Sequence, residues 1–220
     1  MSAIRAVIFD FDGVIVDTES PVYESWCVAF AEHGCPPLTL DEWAREVGTV
    51  GALDVLGLLH ERATRPIDED TMQQRRRAHR DRLLAAESVR PGVVAWLDEA
   101  THLGLGIAIA SSSASQWVTD HLERVALRGR FAHVACTSTF LAAKPAPDTY
   151  LDACRALGVF PDEALAIEDS PNGIAAAKAA GLVCVAVPNP ITGQFDLSAA
   201  DLQLRSLADR TLRSVIAQLA

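Results

Sequence analysis

Asp10 and Asp12 stand two residues apart at the end of a short apolar run, Val7-Ile8-Phe9, and Gly13 follows them. Such a run reads as a buried strand passing into a loop. In an extended chain, residues two apart point the same way, so both carboxylates leave the strand end side by side. Like charges that close repel unless a cation lies between them or one holds a proton. Gly13 lets the backbone turn and approach a ligand where a side chain would obstruct it. A carboxylate nucleophile, a second carboxylate for proton transfer and a hard cation are the parts that make and break an aspartyl-phosphate. An isolated Asp-x-Asp is more often an ordinary acidic turn, so the rest of the chain has to decide.

Three further groups sit where such chemistry needs them. Ser111-Ser112-Ser113 follow an apolar run and precede a helical pattern, so hydroxyls and free backbone N–H groups converge where an anion is welcome. Capping the helix is the commoner task for such serines. Lys144 lies in Ala143-Lys144-Pro145-Ala146-Pro147, a loop stiffened by two prolines that can aim a flexible side chain inward. A solvent-facing Lys is the usual alternative, but the chain has seventeen Arg and only two Lys, Lys144 and Lys178. Glu168 and Asp169 end another apolar run, and Ser170-Pro171 opens the next helix with an N-cap and a first-turn proline. Acids there also suit the helix dipole. Facing Asp10 and Asp12, they would complete an oxygen cage for Mg²⁺.

The elements that must position these residues alternate. Apolar stretches at 6–9, 106–110, 133–136, 164–167 and 182–187 read as buried strands, and helical patterns run over 115–126, 147–157 and 171–180. That order predicts an α/β fold, a parallel sheet with helices on both faces. Almost a hundred residues separate the first two strands. This span is polar, rich in Glu and Arg, and carries helical periods, including one over 69–86, without strand signals. It predicts a small all-helical domain at 18–89, entered near 17–21 and left near 90–92, inserted into a core made of 1–17 and 90–220. After Pro190, a short strand-like or loop stretch leads to a helix from about Leu207.

Composition excludes some functions. With 220 residues, half of them apolar, the chain can bury a large core. A formal charge of −10 argues against nucleic-acid binding, which needs a basic face. No apolar run is long enough to span a bilayer. Five scattered cysteines, without Cys-x-x-Cys or matching His spacing, read as reduced thiols of a cytoplasmic protein.

Taken together, the motifs resemble the haloacid dehalogenase-like hydrolase superfamily, in order and across nearly the whole chain. Asp10-Phe-Asp12-Gly-Val-Ile-Val-Asp17 is similar to its first motif, Ser111 to the second, Lys144 to the third and Glu168-Asp169 to the fourth. The helical insert is similar to the cap of the phosphatase and β-phosphoglucomutase-like subgroup. The resemblance implies a Rossmann-like core and a small phosphorylated substrate, handled by a monomer. Asp10 would then be the nucleophile and Asp12 the general acid/base. Ser111, Ser112 and Lys144 would hold phosphate oxygens, and Mg²⁺ would be bound by Asp10, the Asp12 main-chain carbonyl and Asp169, with Glu168 assisting.

Within that superfamily a dehalogenase would need neither Asp12 nor a metal. Mutase members carry a His where Val22 stands, an Arg in the loop that here reads Gly48-Thr49-Val50-Gly51, and a Lys at Ala114. Lacking these grips on a second phosphate, the chain is expected to be a phosphatase, with the mutase as alternative. A non-catalytic phosphate-binding protein would show a damaged motif, and a receiver-like domain would lack Asp12 and the insert. Arg75, Arg76, Arg77, His79, Arg80 and Arg82 cannot share one helix face, so most are expected in solvent or paired with acids, with one of them a candidate to reach the cleft. Trp43 and Arg45 are minor candidates for substrate contact; Trp26 and Trp96 are expected to pack.

Overall fold

The computed structural model describes residues 3–48, 51 and 53–219. Six strands form one parallel sheet: β1 (Ala6–Phe9), β2 (Gly106–Ser111), β3 (His133–Cys136), β4 (Ala164–Glu168), β5 (Val183–Ala186) and β6 (Leu202–Gln203), ordered β3-β2-β1-β4-β5-β6. Helices α1 (Glu19–Glu32), α2 (Leu40–Trp43), α3 (Val55–Arg62) and α4 (Glu69–Ala86) fall between β1 and β2. The sheet is flanked by α5 (Val93–His102), α6 (Ser115–Arg124), α7 (Asp148–Leu157), α8 (Pro171–Ala180) and α9 (Leu212–Leu219).

The central strands are buried on both faces, and the two faces differ in size. Val7, Phe9, Ile107, Ile109, Leu165 and Ile167 point to one side, where Trp96, Leu97, Val118, Leu122, Leu212 and Val215 of α5, α6 and α9 meet them. The alternate residues, Ala6, Ile8, Ala108, Ala110, Ala164 and Ala166, face α7 and α8, whose contact residues include Ala153, Ala176, Ala177 and Ala180. Period-two alternation therefore gives a thick layer and a thin one. Helix α8 starts and stops as its sequence demands: Ser170 Oγ accepts the Gly173 N–H, Pro171 opens the first turn, and Gly181 closes it at φ 90°.

Helices α1 to α4 build their own apolar cluster around Phe30, Leu38, Trp43, Leu59 and Met72, joined by Ile191 from beyond β5. Where the chain leaves and re-enters the sheet, Val16 and Val89 form an isolated antiparallel bridge, and the Arg90 N–H donates to Ile15 O at 2.9 Å.

The last helix starts later than the sequence suggests, at Leu212 rather than Leu207. Residues Leu207–Asp209 make a single 3₁₀ turn. Trp96 Nε1 donates to the carbonyls of Leu207 and Arg210, both at 2.9 Å, and the Leu212 N–H is taken by Glu99. These carbonyls are bound to the core, and the helix begins only after them. Among the described residues, no helix is long and apolar enough to cross a membrane.

Candidate active site

In this strand order the chain turns from one side of β1 to the other between β3 and β4, and the crevice beyond β1 and β4 is where a sheet of this type takes ligands. Asp10 lies there as the next residue after β1, its N–H donating to Ile167 O at 2.8 Å. Glu168 and Asp169 end β4 beside it. Carboxylate oxygens of Asp10, Glu168 and Asp169 all lie within 4.8 Å of one another, the one such group among the described residues.

Lys144 lies fully buried among these acids. Its Nζ donates to Asp10 Oδ1 at 2.7 Å and to Glu168 Oε1 at 2.6 Å. Tyr150 OH also donates to Glu168 Oε1, while Glu168 Oε2 accepts from the N–H groups of Asp169 and Ser170 and from Ser170 Oγ. Glu168 is thus saturated by protein donors and orients Lys144. Burial pushes Asp10 up to about 8, Lys144 pulls the other way, and Glu168 and Asp12 add repulsion. Asp169 is raised well above the carboxylate range by burial and by repulsion from Asp10 and Glu168. Burial disfavours charge on Lys144 too, but Asp10 and Glu168 outweigh it and hold the amine above its ordinary value. Three acids against one ammonium leave a site that welcomes a cation.

Asp12 faces the same cleft with a different set of partners. Its Oδ1 accepts from Thr18 Oγ1 at 2.8 Å and Trp117 Nε1 at 2.9 Å; its Oδ2 accepts from Ser111 Oγ at 3.2 Å and Ser113 Oγ at 2.6 Å. The serines do not cap α6: the N-cap position is Ala114, without a side-chain bond. Ser111 is fully buried and its hydroxyl is committed to Asp12, whereas Ser112 and Ser113 line the cleft. Ser112 Oγ accepts from Lys144 N at 3.1 Å and donates to Gly48 O at 3.2 Å.

Residues that the sequence did not reveal complete the frame. Asn189 Nδ2 donates to Asp169 Oδ2 at 2.6 Å, and Asn189 Oδ1 accepts from Ile191 N and Thr192 N. Lying between two prolines just past β5, Asn189 obeys the same strand-end rule and was findable by it. Arg90 donates to the carbonyls of Gly13, Val187 and Pro188, tying the loop after β1 to the end of β5. Gly13 has φ 78°, and a Cβ there would run into Asp169 Oδ2 and Asn189 Nδ2. Thr18, Ser113, Trp117 and Tyr150 carried no individual signal.

The cleft measures about 410 Å³, and α4 forms part of its wall. Here the structure goes beyond the sequence, which allowed one of these residues to reach the cleft. Arg75, Arg77 and Arg82 are exposed as expected, but Arg76 and Arg80, one turn apart, both line the cleft. The Arg76 guanidinium lies 4.2 Å from the centre of the Trp26 ring and that of Arg80 lies 5.1 Å from that of Trp117. Trp26 therefore both packs against the apolar cluster of α1 to α4 and forms a wall of the cleft, while Trp96 is core. Trp43 lines the cleft and Arg45 lies exposed outside it. Glu19, also on the lining, is pushed up to about 8 by burial and by Asp12, Asp10, Asp17 and Glu46. Val22 lines the cleft; Thr49 and Val50 lie outside the described residues.

A family model described as haloacid dehalogenase-like hydrolase matches residues 4–181. The chain belongs to that family. Among curated relatives, YhcW of Bacillus subtilis, described as a candidate phosphatase, is 41% identical over 95% of this chain and 94% of its own length. The β-phosphoglucomutase of the same organism is 32% identical over 95% and 92%. The crystal structure of CbbY from Rhodobacter sphaeroides in complex with phosphate superposes with a TM-score of 0.74, at 29% identity, covering 94% of this chain and 96% of that one. Like its family, this chain is a hydrolase, an enzyme of the phosphatase kind.

Proposed function

We propose that this hydrolase is an Mg²⁺-dependent phosphatase of small, sugar-phosphate-like metabolites that works through an aspartyl-phosphate at Asp10. The observation that carries the reading is Lys144, buried between Asp10 and Glu168 at the foot of a cleft that Asp12 also lines. The phosphate complex of CbbY supports a phosphorylated substrate.

The donor set suits a hard cation, being all carboxylate oxygen. Asp10 and Asp169 would hold Mg²⁺ with the Asp12 main-chain carbonyl, and Glu168, whose oxygens are occupied, would act from behind through Lys144. Bound there, the ion would supply positive charge against the phosphoryl oxygens. An Asp10 carboxylate oxygen attacks phosphorus and the ester oxygen leaves with a proton from Asp12. Water then gives a proton to Asp12 and attacks the acyl phosphate, releasing inorganic phosphate and restoring Asp10. Lys144 would hold a phosphoryl oxygen, and Ser111 and Ser112 would do so by turning their hydroxyls from Asp12 and Gly48 to the substrate; Ser113, Thr18 and Trp117 keep Asp12 in position.

Residues 18–89 would act as a cap, hinged near 17–21 and 90–92, that closes over the substrate. Two side chains outside that segment bond consecutive carbonyls within it, Asn172 Nδ2 to Val47 O at 2.9 Å and Ser112 Oγ to Gly48 O. The unpaired cysteines suit a reducing cytoplasm.

The test is a screen of phosphorylated metabolites for released phosphate, with Mg²⁺ and after exhaustive EDTA treatment. Mg²⁺-dependent release is expected; undiminished turnover without metal would overturn the metal role. Near wild-type hydrolysis by Asp10→Asn would overturn the covalent route. One observation favours a second reading: Arg76 and Arg80 give the cleft the cations that a phosphosugar mutase needs for its second phosphate. Offered β-glucose 1-phosphate with a trace of the 1,6-bisphosphate, a mutase would isomerise faster than it hydrolyses.

A further inference from the structure

The cations on the cleft wall are unevenly satisfied. Arg80 is paired: its Nε and Nη2 donate to Asp81 Oδ1 at 2.8 and 2.7 Å. Arg76 has no ion pair among the described residues. Its Nε donates to Gln73 Oε1 at 3.0 Å and its Nη1 to Ser25 Oγ at 3.2 Å, both neutral acceptors, and no hydrogen bond is made by its Nη2 among the described residues. The head group is half-buried against Trp26. A guanidinium drawn out of water without a counter-ion is costly unless an anion completes it. Burial, with Arg80 and Arg77 nearby, lowers this guanidinium to about 10 against the smaller opposing pull of Asp81, the direction such a deficit produces.

A second donor in the same cleft is also incomplete. Trp43 lines it, is 2% exposed, and its Nε1 finds no acceptor among the described residues. The acids of the lining do not fill either vacancy. Glu46 accepts from the N–H groups of Gly51 and Leu53, and Asp54 from that of Gly57. A purely packing role for the Arg76–Trp26 stack would place the charge fully in solvent or against a carboxylate; here the residue is half-buried, and no carboxylate lies in ion-pair range of it among the described residues.

We infer that α4 presents a second anion site, built on Arg76 with Arg80 beside it, and that the substrate carries a second anionic group, a carboxylate or a further phosphate, apart from the phosphoryl group transferred to Asp10. The inference rests on the phosphatase reading and narrows it: neutral-ended polyol phosphates become poor ligands, and acid-ended or doubly phosphorylated ones become good ligands. The planar fork of Arg suits both anions.

The test is equilibrium binding by calorimetry, in the Asp10→Asn protein with Mg²⁺ present, of two matched pairs: 3-phosphoglycerate against glycerol 3-phosphate, and fructose 1,6-bisphosphate against fructose 6-phosphate. The first pair reports a carboxylate at short reach, the second a phosphate at longer reach. In at least one pair the ligand with the extra anion is expected to bind at least about tenfold tighter. Adding Arg76→Met should bring that preference to within about twofold, and Arg76→Lys should restore part of it. Absence of preference in both pairs, or a preference that survives both Arg76→Met and Arg76→Gln in proteins with unchanged melting curves, overturns the inference. Wild-type steady-state assays separate the two claims. Anion preference in binding without hydrolysis of any ester sinks the phosphatase reading alone; hydrolysis without preference sinks the second site alone.

Discussion

Trp117 donates its indole N–H to Asp12 Oδ1 at 2.9 Å, while the Arg80 guanidinium lies over the same ring. One side chain thus joins the proposed proton-transfer carboxylate to the cleft wall. Trp117→Phe keeps an aromatic face and removes the donor. Because three other donors remain on Asp12, kcat should fall about 10-fold with little change in KM. Trp117→Leu, which also removes the ring beneath Arg80, should raise KM as well. Equal kcat values for Trp117→Phe and wild type would show that the bond does not position Asp12.

The two lysines should separate cleanly. Lys144→Ala removes a preorganised ammonium from Asp10 and, in the proposed mechanism, from the transferring group, so kcat/KM should fall by the equivalent of about 2–4 kcal/mol of transition-state stabilisation. Lys178 pairs with Asp201 at a site where both side chains are more than a third exposed (38% and 35%). Lys178→Ala should leave activity unchanged and shift stability by less than ~1 kcal/mol. Parallel kinetics and thermal melts of both variants decide the matter.

Gly13 and Gly104 share a left-handed backbone but not surroundings. A Cβ at Gly13 would collide with Asp169 and Asn189; at Gly104, φ 67°, it would meet nothing within 4 Å. Both alanine variants should lose about 1–2 kcal/mol of stability to backbone strain. Only Gly13→Ala should also raise the Mg²⁺ concentration for half-maximal activity, by at least ~10-fold. A similar metal requirement in both variants would show that Gly13 does not protect Asp169.

As a proposed Mg²⁺ ligand, Asp10 would link metal binding to protons. With its carboxyl at about 8 in the folded, metal-free protein and near 3.8 when unfolded, the native state keeps a proton that the unfolded chain has lost across that interval. Stability contributed by this group therefore declines as pH rises from about 4 to about 8 and levels off above. Mg²⁺ binding near pH 7 should then expel at least about one proton, from Asp10 and from Asp169, whose carboxyl burial also raises, and its affinity should strengthen as pH rises towards 8. Calorimetric titrations in buffers of different ionisation enthalpy count the protons. Zero release, with an affinity flat in pH, would rule out Asp10 as a ligand.

The sheet and the positions of Asp10, Glu168 and Asp169 were legible because each lies at the end of a buried apolar run, where period and punctuation are local signals, and Lys144 was legible from its rarity and its proline-stiffened loop. Ser111 was legible as a position but not as a partner: whether its hydroxyl caps α6 or bonds Asp12 depends on how β2 abuts β1. Arg76 and Arg80 were hidden by their own neighbourhood. In an arginine-rich helix the period alone does not say which side is covered, and only the packing of α4 against α1 turns Arg76 towards Trp26. Tyr150 gave no signal, since nothing near it in sequence announces that its hydroxyl meets Glu168.

The thin side of the sheet acts as a spacer gauge. Alanines at 108, 110, 164 and 166 set how closely α7 and α8 lie on the strands. The loops that lead into those helices carry Lys144 and Ser170, so the stand-off of a layer with no chemistry of its own fixes the height of the ammonium above Asp10. Inserting a larger residue at Ala110 would act as a shim. It would lift α7 and retract Lys144 from both carboxylates, detuning a centre whose every member was still present.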